Sequence, residues 1–426
     1  MKHMPKPLVT LLGKAVRAAA KTRGGGSALP GLFVETIDKD FISRTLAQVP
    51  HGVVLVSGTN GKTTTTKMVV ELLEGQGLRV FTNRTGSNFT RGVAAALLGD
   101  IDLKGKLHAD IAVLELDEAH AVQFVRQVEP AHCLLLNVMR DQLDRFGEID
   151  YTAKLLETVA QATSRSIVVN REDPRLLTLA SRLPANQVTY FGLNDNLRHL
   201  FPSDDEMRGG NAQPTGSLPE AAGVLEQLSD HTAVFSLGTK KYTARLKLEG
   251  VYNVFNAVAA ASLVTAIRGD KLDDKALIES LEAITPAFGR GEKLIVGGQP
   301  LELVLVKNPG GFRLGLSSFS PEGYATMIAI NDNYADGRDM SWLWDVEFES
   351  LAPRISHVTG VRAYDMALRL QYDEIEIGTV EPKLSTALRG FIAENGNQPK
   401  RIFCTYTAML ALRRELSKIT EVKVIS

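Results

Sequence analysis

The chain is 426 residues long, too long for one ordinary domain and long enough for two or three, each with its own core. Charged residues make up 23%, the apolar class 44%, and the formal net charge is -1, which fits a globular protein and gives no reason to expect nucleic acid as a partner. Two isolated cysteines, Cys133 and Cys404, make neither a metal cluster nor a disulfide framework; each adjoins an apolar run and reads as an inert core thiol in a reducing cytoplasm.

The first 30 residues carry Lys2, Lys6, Lys14, Arg17, Lys21 and Arg23 and no acid, with Leu8, Leu11, Leu12, Ala15, Val16 and Ala19 at helical spacing. Lys14 interrupts the apolar stretch, against a secretory signal. Such a basic amphipathic helix can lie on an anionic membrane surface or pack on the next domain. No run approaches the roughly 18 apolar residues of a membrane span. Gly24 to Ser27 ends the helix as a flexible joint.

From Val53 onward, short apolar runs alternate with helical patterns. The runs are Val53 to Val56, Val80 to Thr82, Ile111 to Leu114, Cys133 to Asn137, Ile167 to Asn170 and Val188 to Phe191; the helices include Lys62 to Glu74 and Tyr151 to Ala162. Strand then helix, repeated, predicts a parallel sheet covered on both faces. The polar stretch Asn194 to Gly216 shows no periodicity, and 194–230 as a whole is expected to be an insertion or loop. Thr232 to Leu248 alternates as a hairpin, and Asn253 to Ile267 returns to helix. A boundary falls near Phe288 to Lys293, after which strands Leu301 to Val306, Thr326 to Ile330, Glu374 to Ile377 and Arg401 to Cys404 build a second, smaller doubly wound domain. Its helices are Arg362 to Leu370, Pro382 to Glu394 and Tyr406 to Leu416. The expected divisions are 1–45, an N-terminal helix and linker; 46–290, an ATP-binding α/β domain; and 291–426, the C-terminal α/β domain.

The strand Val53 to Val56 runs straight into Gly58-Thr59-Asn60-Gly61-Lys62-Thr63-Thr64 and then a helix, the context of a phosphate loop. Glycines let backbone N–H groups approach phosphates, Lys62 reaches the β and γ oxygens, and Thr63 can ligate Mg2+. The loop departs from the general pattern at one place, where Val56 stands for the first glycine. Glu115 ends a strand at the carboxyl edge of the sheet, where ligands of open α/β folds gather, and with Thr63 could hold Mg2+. Asp117 and Glu118 are nearby, and the sequence does not decide which carboxylate takes the metal or whether the three form only a solvated acidic turn. Asn253 and Asn256 are spaced to hydrogen bond adenine or phosphate edges, with helix capping the alternative for Asn253. Arg290 could neutralise phosphate charge as the second domain closes.

Gly58 to Thr64 resembles the ATP loop of the Mur ligases, the carboxylate-amine ligases of cell-wall precursor synthesis. Three further segments agree: Asn137 to Gly147 with their Asn-x-x-x-Asp-His-Leu-Asp-x-x-Gly, Gly250 to Asn256 with their Gly-x-His-Asn-x-x-Asn, and Gly289 to Glu292 with their Gly-Arg-x-Glu hinge. Two positions depart: Gln142 replaces the usual metal-ligating His, where an amide can still bind Mg2+ or its water, and Tyr252 replaces the usual His of the adenine segment. The family's carbamylated lysine has no secure counterpart, since Lys154 is two residues short in spacing. Asn331 to Asp345, Lys307 to Gly311, Arg362 to Leu370 and Tyr406 to Leu410 resemble the MurT branch of that family.

The resemblance implies a Mur ligase-type central P-loop domain with a Rossmann-like C-terminal domain. It implies ATP-dependent amidation of the α-carboxylate of D-glutamate in the lipid II stem peptide, with Mg2+, Lys62 and Arg290 steadying the transferring phosphoryl group and ammonia supplied by a GatD-type glutaminase subunit. It implies an aspartate that supports the glutaminase from across the interface, Asp339 first and Asp336 second, with turn capping the alternative. A location in the cytoplasm follows, with peripheral contact at the inner membrane face through the N-terminal helix. The four-cysteine zinc ribbon of many MurT proteins has no ligands here, so no zinc is expected. Two rival readings remain, a stand-alone amino-acid ligase of the Mur or folylpolyglutamate type and a non-catalytic ATP-binding scaffold for a glutaminase.

Overall fold

The computed structural model describes residues 6–22, 29–83, 89–141, 149–206, 217–229, 232–247, 251–285, 290–319 and 321–422. The chain forms two compact units, the first made of 1–138, 150–247 and 253–284 and the second of 139–149, 248–252 and 285–426.

Unit 1 is built on nine strands: β1 (Val53–Ser57), β2 (Val80–Thr82), β3 (Ile111–Glu115), β4 (His132–Leu135), β5 (Ser166–Asn170), β6 (Val188–Leu193), β7 (Gly223–Ser229), β8 (Thr232–Leu237) and β9 (Lys240–Arg245). Their order is β2-β3-β1-β4-β5-β6-β7-β8-β9. Pairing is parallel from β2 through β7 and antiparallel across β7, β8 and β9. The central strands are apolar on both faces because helices cover both; β1, β3 and β4 are buried at every residue. The expected insertion at 194–230 is therefore corrected. Its described part holds a 3-10 turn, Asp195–Leu200, and β7, which joins the parallel sheet to the antiparallel hairpin.

The helix Lys6–Thr22 packs on the helices Leu29–Ile37 and Thr90–Asp100. The contact is close at Gly13, where a Cβ would meet Leu98 Cδ2 at 2.7 Å and Val34 Cγ2 at 2.8 Å. The packing expected of this helix is thus present, and Leu11, Ala15 and Ala18 face outward. The joint at 24–27 lies outside the described residues. The segment Val251–Lys271 is long and apolar enough by composition to cross a membrane. It is a core helix, with Val254, Phe255 and every residue from Ala257 to Val264 buried.

Unit 2 has six strands, β10 (Arg290–Val296), β11 (Gln299–Leu305), β12 (Ala325–Ala329), β13 (Arg354–Thr359), β14 (Glu376–Glu381) and β15 (Lys400–Cys404), in the order β10-β11-β15-β12-β13-β14. β10 and β11 form an antiparallel hairpin, and the rest are parallel. Alternate residues feed two cores. Val304, Ile328 and Phe403 pack on one side with Phe312, Phe348 and Met366, while Leu303, Met327 and Ile402 pack on the other with Phe391, Met409 and Leu412. The strand expected over Glu374 to Ile377 runs later, as β14, because Glu374 takes a left-handed φ of 56° that ends the preceding helix turn.

Candidate functional site

The buried strand β1 delivers the chain to Gly58, and the helix Lys62–Gly75 leaves from Gly61. Both glycines have positive φ, 131° and 88°. Both are also crowded: a Cβ on Gly58 would lie 3.0 Å from the backbone N and O of Asn137, and one on Gly61 2.8 Å from Asn256 Nδ2. The loop therefore needs glycine for steric reasons as well as conformational ones.

Asn137, at the exit of β4, clamps this loop. Its Oδ1 accepts from Asn60 N at 2.9 Å, its Nδ2 donates to Asn60 O at 3.0 Å, and its backbone O accepts from Thr59 N at 3.0 Å. Lys62 folds back along the loop, donating to Gly58 O at 2.6 Å and Thr59 O at 3.3 Å, and pairs with Glu118 Oε1 at 3.0 Å. Thr65 Oγ1 donates to Gly61 O at 2.9 Å, and Thr64 is buried beneath the loop. Helix N–H groups and a lysine gathered at a glycine-shaped turn make an anion site of the phosphate-binding kind.

The acidic turn after β3 resolves into three roles. Thr63 Oγ1 donates to Glu115 Oε1 at 2.8 Å. Glu115 is fixed through its backbone by Asn83, which donates Nδ2–H to its O at 2.8 Å and accepts from its N at 3.1 Å. Asp117 caps the helix Glu118–Val125 by accepting from Ala119 N, and Glu118 faces Lys62. Of the three carboxylates, Glu115 is the one paired with the Thr63 hydroxyl. Two adjacent hard oxygens suit Mg2+, which takes its remaining ligands from phosphate and water. Among the described residues no group of three His, Cys, Asp or Glu side chains is placed to hold a metal. A cation at Thr63 and Glu115 would therefore come with its nucleotide.

The helix Val251–Arg268 carries both asparagines in its first turns, and Asn256 lies against Gly61. This puts Asn256 at the phosphate end of the site. Asn253 lies inside the helix, two residues past its start. Gln142 and Gly289 lie outside the described residues. Arg290 opens β10, and its side chain is likewise outside what is described.

In unit 2, the segments 307–311, 331–345, 360–364 and 405–410 meet at the carboxyl edge of the sheet. Asn331 accepts from Val361 N at 3.0 Å and donates to Thr407 Oγ1 at 3.1 Å. Asp336 is buried and accepts from Thr407 N at 2.7 Å, from the Thr407 hydroxyl and from Asn333 N at 3.1 Å. Burial pushes its carboxyl above the ordinary value, opposed by the Thr407 hydrogen bonds. Asp336 is thus a tether between this loop and the helix Tyr406–Leu416. Asp339 is partly exposed and accepts from Ser341 N at 2.9 Å, opening the turn Ser341–Asp345. That turn presents Trp344 against Tyr372, with ring centroids 5.0 Å apart. Tyr372 closes a row on the helix Ala363–Tyr372, Tyr364, Leu368 and Tyr372, which are 68%, 50% and 70% exposed at four-residue spacing.

Residues 56–264 match the family described as Mur ligase middle domain, and residues 305–409 that described as MurT ligase C-terminal. The chain belongs to the MurT branch of the Mur ligase family. It is 29% identical to the MurT subunit of lipid II isoglutaminyl synthase (glutamine-hydrolyzing) of Streptococcus pneumoniae, over 97% of this chain and 98% of that protein. The Staphylococcus aureus subunit of the same name is also 29% identical, over 87% of each chain. Among solved structures, MurF from Acinetobacter baumannii superposes with a TM-score of 0.67 at 17% identity, covering 92% of this chain and 80% of its own. Folylpolyglutamate synthase from Mycobacterium tuberculosis, complexed with ADP, gives 0.63 at 15% identity over 88% and 92%. These likenesses bear out the Mur ligase fold expected from the loop and its neighbours.

Sequence reasoning singled out Gly58 to Thr64, Glu115 and Asn256, which the fold brings together. It missed Asn83 and Asn137 as clamps and did not see Glu118 as the partner of Lys62. The one available signal was position: each follows a strand at its carboxyl end.

Proposed function

We propose that this chain is the ligase subunit of a glutamine-hydrolysing lipid II isoglutaminyl synthase, converting the α-carboxylate of D-glutamate in the stem peptide to the amide of D-isoglutamine. The observation that carries this reading is the near full-length match to relatives named for that activity, together with a phosphate loop backed by Thr63 and Glu115. A carboxylate is a poor electrophile. Its oxygen attacks the γ-phosphorus of ATP, the bond to the β–γ bridging oxygen breaks, and ADP leaves. Ammonia then attacks the acyl carbon, phosphate departs, and the excess proton passes to phosphate or solvent. Lys62 and the N–H groups at the start of the helix Lys62–Gly75 hold the phosphates in line, and Arg290 adds positive charge. Mg2+, held by Thr63 and Glu115 and, in our reading, Gln142, would neutralise charge on the transferring group.

Ammonia comes from a GatD-type glutaminase seated on unit 2. The exposed row Tyr364, Leu368, Tyr372 and Trp344 is apolar enough to dock a partner and is continuous with the Asp339 turn. A subunit on that row covers Asp339, which then orients the glutaminase histidine; Asp336 is the weaker candidate because Thr407 already holds it. The outward face of the helix Lys6–Thr22, where Leu11 is exposed, is where we place contact with the inner face of the membrane that carries the lipid-linked substrate.

The test is amidation of lipid II by the chain with its glutaminase, fed with glutamine or with ammonium. Asp339→Asn abolishes the glutamine-driven reaction and leaves the ammonium-driven one. Joining of a free amino acid to the precursor by the chain alone would establish the amino-acid ligase instead, and equal loss of both reactions in Asp339→Asn would remove the interface role.

A further inference from the structure

The chemistry above leaves one buried carboxylate of the nucleotide site without a task. Glu118 begins the helix Glu118–Val125, its side chain is 1% exposed, and Oε1 lies 3.0 Å from Lys62 Nζ. Its Oε2 is also buried and has no hydrogen-bond partner among the described residues. A buried carboxylate satisfied on one oxygen alone is expensive to keep, since burial removes hydration that a single ion pair does not fully replace. On the other side of the pair, Lys62 has three N–H donors, and its acceptors among the described residues include Gly58 O, Thr59 O and Glu118 Oε1.

We propose that Glu118 is a positioning residue that holds the phosphate-loop lysine against its own loop, so that an incoming polyphosphate must take Lys62 from it. A phosphate oxygen that receives a hydrogen bond from Lys62 has to compete with these acceptors. The two carbonyls are part of the loop that wraps the phosphate; Glu118 is the acceptor that carries a charge, and it has the same sign as the ligand. Exchange therefore sets two like charges close together in a buried place, and the affinity for nucleotide is lower than the loop alone would give. A site that hands its product on needs that restraint, because a loop that grips ADP too firmly slows turnover.

The inference rests on the nucleotide-binding reading, and the experiment separates the two. The full chain is titrated calorimetrically with ADP, with ATP and with tripolyphosphate, with and without Mg2+, and Tm is measured for every variant. Failure of the parent chain to bind any of these ligands overturns the nucleotide reading itself. Given binding, Glu118→Gln, which keeps shape and removes charge, binds ADP and tripolyphosphate about tenfold tighter, about 1.4 kcal/mol. Unchanged or weaker binding at a parental Tm overturns the proposal. Should Glu118→Gln not fold, Glu118→Asp, whose carboxylate is drawn back by one methylene, is expected to bind ADP severalfold tighter, and equal or weaker binding there overturns it in the same way. In a Lys62→Met background Glu118→Gln has no effect on affinity; a tightening that persists without Lys62 shows that Glu118 does not act through the lysine and also overturns the proposal.

Discussion

Replacing Asn137 by alanine tests whether the phosphate loop is held from outside or holds itself. The side chain contributes two hydrogen bonds to Asn60, one accepted from N at 2.9 Å and one donated to O at 3.0 Å. The third contact, Thr59 N to Asn137 O, is backbone and survives the substitution. At roughly 0.5–1.5 kcal/mol net for each bond, the loss is about 1–3 kcal/mol of loop order. Because the loop must be ordered to bind phosphate, that cost appears in affinity as about a 5- to 150-fold weaker Kd for ADP, at about tenfold for each 1.4 kcal/mol. Calorimetric titration beside a thermal melt is the assay. Asn137→Asp keeps the acceptor for Asn60 N, loses the donor to Asn60 O and adds negative charge near the phosphates, so it binds more weakly than Asn137→Ala. An Asn137→Ala protein that binds ADP within twofold of the parent would refute the clamp.

Two further predictions concern stability and assembly. His132 is buried on β4 against Ser166, and burial, followed by the nearby positive charges of Arg165 and His51, lowers its pKa from 6.5 to about 4. A base whose folded pKa is depressed stabilises the fold above 6.5 and withdraws that contribution as pH falls from 6.5 toward about 4, at no more than ~1.4 kcal/mol per pH unit. The midpoint of urea unfolding of the parent therefore drops over this window, and His132→Asn flattens the profile; an unchanged profile counts against the assignment. Leu368→Asp, on the outward row of the helix Ala363–Tyr372, leaves Tm within a degree or two of the parent but weakens association with the glutaminase by about tenfold or more, as expected for a central apolar contact. Full co-purification of the Leu368→Asp protein with the glutaminase places the partner elsewhere.

The strands that sequence made legible are those buried on both faces. Val53 to Val56 and Ile111 to Leu114 are continuous apolar runs, each closed by a polar residue at the strand end, a pattern with few other structural solutions. β7 and β10 were not read because both contain register shifts, between Leu225 and Gln227 and between Arg290 and Glu292, which break a two-residue period. β13 was missed because His357 occupies a buried position where the pattern calls for an apolar residue. Within the site, the glycines and Lys62 are local in sequence and therefore visible. The clamps are not: Asn137 acts on Asn60 across 77 residues, Glu118 on Lys62 across 56, and Asn83 on Glu115 across 32. Their partners exist only once the strands are side by side. Asp336 was noticed but ranked for chemistry; its role as a tether depends on Thr407, 71 residues away.

The two cysteines read at the outset as inert acquire a use from where they sit. Cys133 lies on β4 of unit 1 and Cys404 on β15 of unit 2, each on an inner strand and each fully buried. Burial pushes the Cys133 thiol up to about 12, so it does not react while its strand is paired. The unaltered chain thus carries one silent thiol per folding unit. Modification by an aromatic disulfide reagent, followed by peptide mapping, clocks the opening of each sheet separately, and any ligand or partner that steadies only one unit slows the labelling of that unit's cysteine and leaves the other's rate where it was.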